Sequence, residues 1–224
     1  MVISGNVKTS TTPKEVRMIR GFGLTGAMGM LLVASAIAAP TALAVPQFTA
    51  SAYPATATGS NTAGNESFTT EAGTVQCDSH FVGTLSEASS TFTDTPTYSN
   101  CVAFGFLSAT INTEGCTFTK HITIKISLGV FSASLTIGCP AGKSIKIVSG
   151  TCKAEIKSQN LESIKLTNSG SSITVQPNVT NIAITVTQDG FGCPFNGTGN
   201  KTGSYHGDLL MSRVGGGSIS ASGE

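Results

Sequence analysis

The chain has 224 residues, with 13 Lys plus Arg against 12 Asp plus Glu, and six cysteines. That length fits one domain, or at most two small ones. The near-balanced charge lacks the basic excess of a nucleic-acid-binding domain, so no nucleic acid is expected as a partner.

The N-terminal region fixes the expected compartment. Lys8, Lys14, Arg17 and Arg20 precede an uncharged run, GFGLTGAMGMLLVASAIAAPTALA, which is broken at Pro40 and closes on Ala42-Leu43-Ala44. A basic stretch, an apolar core and a small-x-small ending form a secretory signal peptide, and cleavage is expected after Ala44. The competing reading is an uncleaved membrane anchor, but the apolar core is short and rich in Gly and Ala for a span. Met18 is a second candidate start. No cysteine follows the apolar run, which argues against a lipid-anchored form. The mature chain, 45–224, keeps 9 of the basic and 11 of the acidic residues, a net charge of −2. It holds no later apolar stretch long enough for a transmembrane segment.

All six cysteines, Cys77, Cys101, Cys116, Cys139, Cys152 and Cys193, lie in the mature part. An even count in an exported chain implies disulfides. A zinc site would need close pairs such as C-x-x-C, and none is present. Residues 45–65 read as a loosely structured N-terminal segment, 66–213 as the disulfide-braced domain, and 214–224 as a flexible Gly/Ser tail.

Within that domain the clearest pattern is CTFTKHITIKISLGVFSASLTIGC, from Cys116 to Cys139. Phe118, Ile122, Ile124 and Ile126 take even positions; Phe131, Ala133, Leu135 and Ile137 take odd ones. Period-two alternation predicts two half-buried strands. The change of parity across Leu128-Gly129 predicts a hairpin with all eight side chains on one face. A loop at Ser127-Leu128 sets Cys116 opposite Cys139, whereas a loop at Leu128-Gly129 leaves them diagonal. Only closely spaced Cα pairs can be bridged, so the opposed register favours a 116–139 disulfide.

KSIKIVSGTCKAEIKS predicts a second hairpin, turning at Ser149-Gly150. Ile145, Ile147, Cys152, Ala154 and Ile156 then share a face, and Cys193 is the partner left for Cys152. A bend near 86–90 brings Cys77 to Cys101. The expected connectivity is sequential, 77–101, 116–139 and 152–193. Six cysteines allow 15 pairings, and a rival set joins Cys139 to Cys152 and Cys116 to Cys193.

The remaining runs, among them SFTTEAGTVQC, VAFGFLSATIN, SSITVQP and NIAITVTQ, are short, rich in Thr, Val, Ile and Phe, and separated by turn residues. Only NLESIKL reads as a helical turn. The expected fold is all-β, a β-sandwich-like antiparallel domain braced by disulfides.

The segments FTTEAGTVQC, TPTYSNCVAFG, GCPAGKSIKI and NGTGNKTGSYHG resemble a group of exported actinobacterial proteins. The resemblance covers most of the mature chain. It rests on Cys, Gly and turn residues, so it implies fold and compartment, and no activity or cofactor comes with it.

Candidate chemistry is sparse. His80 follows Asp78 by two residues and His206 precedes Asp208 by two, while His121 lies beside Lys120. A His–Asp pair orients a general base for a serine nucleophile, but no G-x-S-x-G elbow is present. If the chain ends meet, the same four residues also offer a metal site. No cofactor motif is found. The carboxylates are well separated, where a glycosidase needs two that face each other. The absence of Trp argues against an aromatic sugar platform. Lys143, Lys146, Lys153 and Lys157 form a possible anion-binding face, and a turn at Ser149-Gly150 sets Lys146 opposite Lys153. The same residues read equally as a solvated face that discourages edge pairing. The expected function is a secreted or cell-envelope-associated, non-enzymatic interaction or structural protein, with an anionic envelope polymer as candidate partner. The alternative is a secreted hydrolase whose site is assembled from distant loops.

Overall fold

The computed structural model describes residues 45–61 and 66–223; the expected signal peptide lies outside them. The described residues contain fifteen strands and no helix. They are β1 (Gln47–Ala50), β2 (Ala55–Asn61), β3 (Glu66–Thr70), β4 (Thr74–Leu85), β5 (Thr91–Ala103), β6 (Leu107–Asn112), β7 (Thr117–Ser127) and β8 (Val130–Gly138). There follow β9 (Ile145–Ser149), β10 (Cys152–Ile156), β11 (Gln159–Ser169), β12 (Ser172–Gln188), β13 (Gly199–His206), β14 (Leu209–Arg213) and β15 (Ile219–Ser222).

All pairings are antiparallel, and thirteen strands form one sheet that closes on itself. Three long strands, β4, β5 and β12, run the length of the body, and the shorter strands fill two rings along them. One ring passes from β4 through β2, β14, β12, β11, β8 and β7 to β5. The other passes from β4 through β3, β13, β12, β10, β9 and β6 to β5. The expected sandwich-like domain is therefore present, and hydrogen bonds join its two layers at both edges. Closure leaves no unpaired strand edge along the rings to recruit another chain.

The alternation expected from the sequence buries one face of each strand. Phe92, Phe131, Leu166, Ile173, Val175 and Val179 are almost completely enclosed. A smaller cluster of Val75, Ala103 and Ala109 packs around the 77–101 disulfide. At one end β1 and β15 form a separate two-stranded ribbon. Its Phe48 and Ile219 are fully buried, and Phe48 packs on Phe92 with ring centroids 5.8 Å apart. Segments read as loose ends from their composition thus carry strands: β1 and β2 at one end of the described chain and β15 at the other belong to the folded body.

The disulfides are 77–101, 116–139 and 152–193, which excludes the rival pairing. Other expectations need correction. The β9–β10 turn falls at Gly150-Thr151, since Ser149 pairs with Cys152. NLESIKL lies in β11, where a bulge between Leu161 and Ile164, with Ser163 at positive φ, breaks the alternation and imitates a helical spacing. In β7, bulges between Ile122 and Ile124 and between Lys125 and Ser127 break the even-number pattern. Ile124 and Ile126 consequently point to solvent, 60% and 59% exposed.

Candidate functional site

The four lysines of the expected anion-binding face are all exposed on or beside β9 and β10. With the turn at Gly150-Thr151, Lys146 stands opposite Glu155 and Lys153 opposite Val148, so the two lysines are not opposed. Lys146 Nζ also donates to Glu114 Oε1 at 2.7 Å. That bond, then its charge, holds the Glu114 carboxyl below its usual range and raises the Lys146 ammonium. Acidic neighbours thus already occupy the centre of the lysine face. Lys157 lies apart from this pairing, at the β10–β11 turn.

The histidines do not assemble a site. His80 pairs across strands with Thr97 and Ser60, His206 with Ser67 and Asn178, and His121 with Thr91 and Ser134. Asp78 accepts a 2.6 Å bond from Asn100 Nδ2, and Asp208 accepts one of 2.7 Å from Gln176 Nε2. The described residues hold no group of three or more His, Cys, Asp or Glu placed to bind a metal.

Two features remain with the geometry of a site. The first is an open groove of about 910 Å³ beside β12 and β13, between the end of β3 and the β10–β11 turn. Hydroxyl and amide side chains line it, including Thr180, Thr185, Thr202, Ser204, Asn200 and Gln159. Gln159 clamps the turn to β12, accepting from the Ala183 N–H at 2.9 Å and donating to the Ala183 carbonyl at 3.0 Å. Lys157, Lys201, Glu71 and Glu155 are its charged members, and Lys201 pairs with Glu71 at 3.4 Å. This groove is built from strands distant in sequence, so no local motif announced it.

The second is a polar cluster inside the body. Across β5 and β7, Phe92 pairs with Lys120 and Asp94 with Phe118. Lys120 and Asp94 are therefore diagonal neighbours on the inner face, each only 3% exposed. Lys120 Nζ donates to Asp94 Oδ2, and the ammonium lies 5.4 Å from the Phe81 ring centroid and 6.0 Å from that of Phe92. Asp94 Oδ1 is buried with no hydrogen-bond partner. Burial pushes the Asp94 carboxyl up, against the opposing pull of Lys120.

Glu66, at the start of β3, is 2% exposed and is coupled electrostatically to both Lys120 and Asp94. Burial pushes its carboxyl up to about 8, against smaller lowering effects of Ser79 and Lys120. Neither of its oxygens makes a hydrogen bond of good geometry with another described residue. Gly207 passes over the Glu66 side chain so closely that a Cβ there would lie 2.7 Å from Glu66 Cγ. Burial thus favours the neutral form of the Glu66 carboxyl.

Sequence reasoning passed over this cluster, although parity marks it. Lys120 lies on the same even positions as Phe118 and Ile122, and Asp94 alternates with Phe92 and Pro96. A charge on an apolar parity is the signal of a buried, paired group.

Comparison with protein-family models, curated proteins and solved structures returned no match. Function therefore rests on the chemistry of the chain's own residues.

Proposed function

We propose that this is an exported, envelope-associated protein that acts by binding rather than by catalysis, and that its ligand is a hydroxyl-rich envelope polymer bearing anionic groups. The observation that carries this reading is the groove beside β12 and β13, where the lining residues, apart from Ala183, Ile184 and Gly203, carry a hydroxyl, amide or charged group. Such a lining exchanges hydrogen bonds with a polyhydroxylated chain, while Lys157 at its rim supplies a cation for acidic substituents. Three disulfides suit an oxidising, extracellular compartment. The signal-peptide pattern and the resemblance to exported actinobacterial proteins accord with that location. A closed sheet with strapped ends is a rigid platform, which lowers the ordering cost of binding.

The test is retention on an insoluble cell-wall fraction from the source organism. Thr202→Trp fills the groove and Lys157→Glu reverses the charge at its rim, and both are expected to reduce retention at least fivefold. Lys143→Glu and Lys153→Glu, on the β9–β10 face, are expected to leave it within twofold. Equal retention of all four variants would overturn the groove assignment.

A further inference from the structure

We infer that Lys120 and Asp94 become joined by a side-chain amide bond that the folded protein makes itself. The two reacting groups already touch, on adjacent strands and fixed by cross-strand register. Groups held in this way react as though at concentrations of about 10⁵–10⁸ M. The surroundings favour condensation over hydrolysis: Phe81, Phe92, Ala57, Val175 and Met211 wall the pair off from bulk water. As an ion pair the two groups are costly to bury, the more so with Asp94 Oδ1 left without a partner. As an amide they carry no charge.

The chemistry balances with the two side chains alone. A proton passes from the Lys120 ammonium to the Asp94 carboxylate, leaving a neutral amine and a neutral acid. The Nζ lone pair attacks Asp94 Cγ; a C–N bond forms, and the carbonyl electron pair moves to oxygen. One proton then passes from the nitrogen to that oxygen, leaving a neutral centre that carries two hydroxyls. The centre collapses: one hydroxyl gives its proton to the other as its C=O bond re-forms, the second C–O bond breaks, and one water leaves. Nothing is oxidised or reduced.

The bond also has a structural purpose. β5 and β7 pair over only four residues, Thr91 to Asp94 with Phe118 to His121. Beyond them β5 leaves β7 and pairs with β6 instead. An amide at Asp94 closes this short seam of the ring covalently, in addition to the 77–101 disulfide that ties β5 to β4 further along the strand.

The experiment is mass spectrometry of the purified, correctly oxidised mature protein, after reduction of its disulfides. The wild-type chain is expected to weigh one water less than its sequence. A tryptic digest is expected to yield a branched peptide joining the segment of Lys120 to that of Asp94. Lys120→Arg and Asp94→Ala are expected to retain their full sequence masses. A wild-type chain of full sequence mass would overturn the proposal, and the wild type is the decisive sample, so poor folding of a variant does not blur the result. A water loss mapped to other residues would overturn it equally.

Discussion

Cys116 and Cys139 stand directly opposite each other at the open end of the β7–β8 hairpin, although the loop between these strands would by itself leave them diagonal. The loop is Leu128-Gly129, with Ser127 paired to Val130. Two bulges in β7 each shift the register by one residue, so that Thr117 meets Gly138 and the cysteines beyond them align. Their Cα atoms lie 4.1 Å apart. Removing this bridge as Cys116→Ser plus Cys139→Ser is expected to cost about 3 kcal/mol, as for closure of a loop of this size. Equilibrium unfolding in guanidinium, with the other two bridges intact, measures it.

The same bulges make a second, opposite prediction. Strict alternation would bury Ile124 and Ile126, and their truncation would cost several kcal/mol. Because the bulges turn both outward, Ile124→Thr plus Ile126→Thr is expected to change stability by less than about 0.5 kcal/mol, the range of surface substitutions. Thermal denaturation followed by circular dichroism distinguishes the two.

Glu66 predicts an unusual pH dependence. Its carboxyl titrates near 4.5 when free and near 8 when folded. Between those values the folded state holds a proton that the unfolded state has released, so stability falls as pH rises. The loss is about 1.4 kcal/mol per pH unit across the window, with no further loss above it. Melting temperatures are expected to drop from pH 5 to pH 8 in the wild type. In Glu66→Gln, which is uncharged throughout, the drop should largely disappear.

Lys120 supplies a prediction about pairing. Lys120→Met strands the Asp94 carboxyl in the core, a change expected to cost about 3–5 kcal/mol. Adding Asp94→Leu removes the stranded group. The double variant is expected to be more stable than Lys120→Met alone by at least about 1 kcal/mol in urea unfolding.

Where strands run undisturbed, the sequence was readable residue by residue. Ile145, Ile147, Cys152, Ala154 and Ile156 share the buried face that their spacing implies. The 116–139 bridge follows from parity, whereas 77–101 follows from an expected bend near 86–90 and 152–193 from the cysteine left over. Reading failed where an added residue shifts the pattern: at Ile124 and Ile126, and at Ser163, whose bulge breaks the period of two. It failed at the chain ends for another reason. Residues 47–50 and 219–222 are poor in large apolar side chains, and their strands exist because Phe48 and Ile219 cap a ring that local sequence does not reveal. The buried pair was legible in principle, since Lys120 and Asp94 both occupy apolar parity. The groove was not, because residues from 69 to 204 meet there only after the sheet closes.

The central claim is our proposal that this protein is exported and binds the cell envelope through charge-assisted polar contacts. Its most direct test is sedimentation of the oxidised chain of residues 45–224 with intact cells of the source organism across a salt series. The account predicts that the protein pellets with the cells at low ionic strength and is released progressively as salt screens Lys157 and its neighbours. Protein that stays in the supernatant at low salt would contradict it.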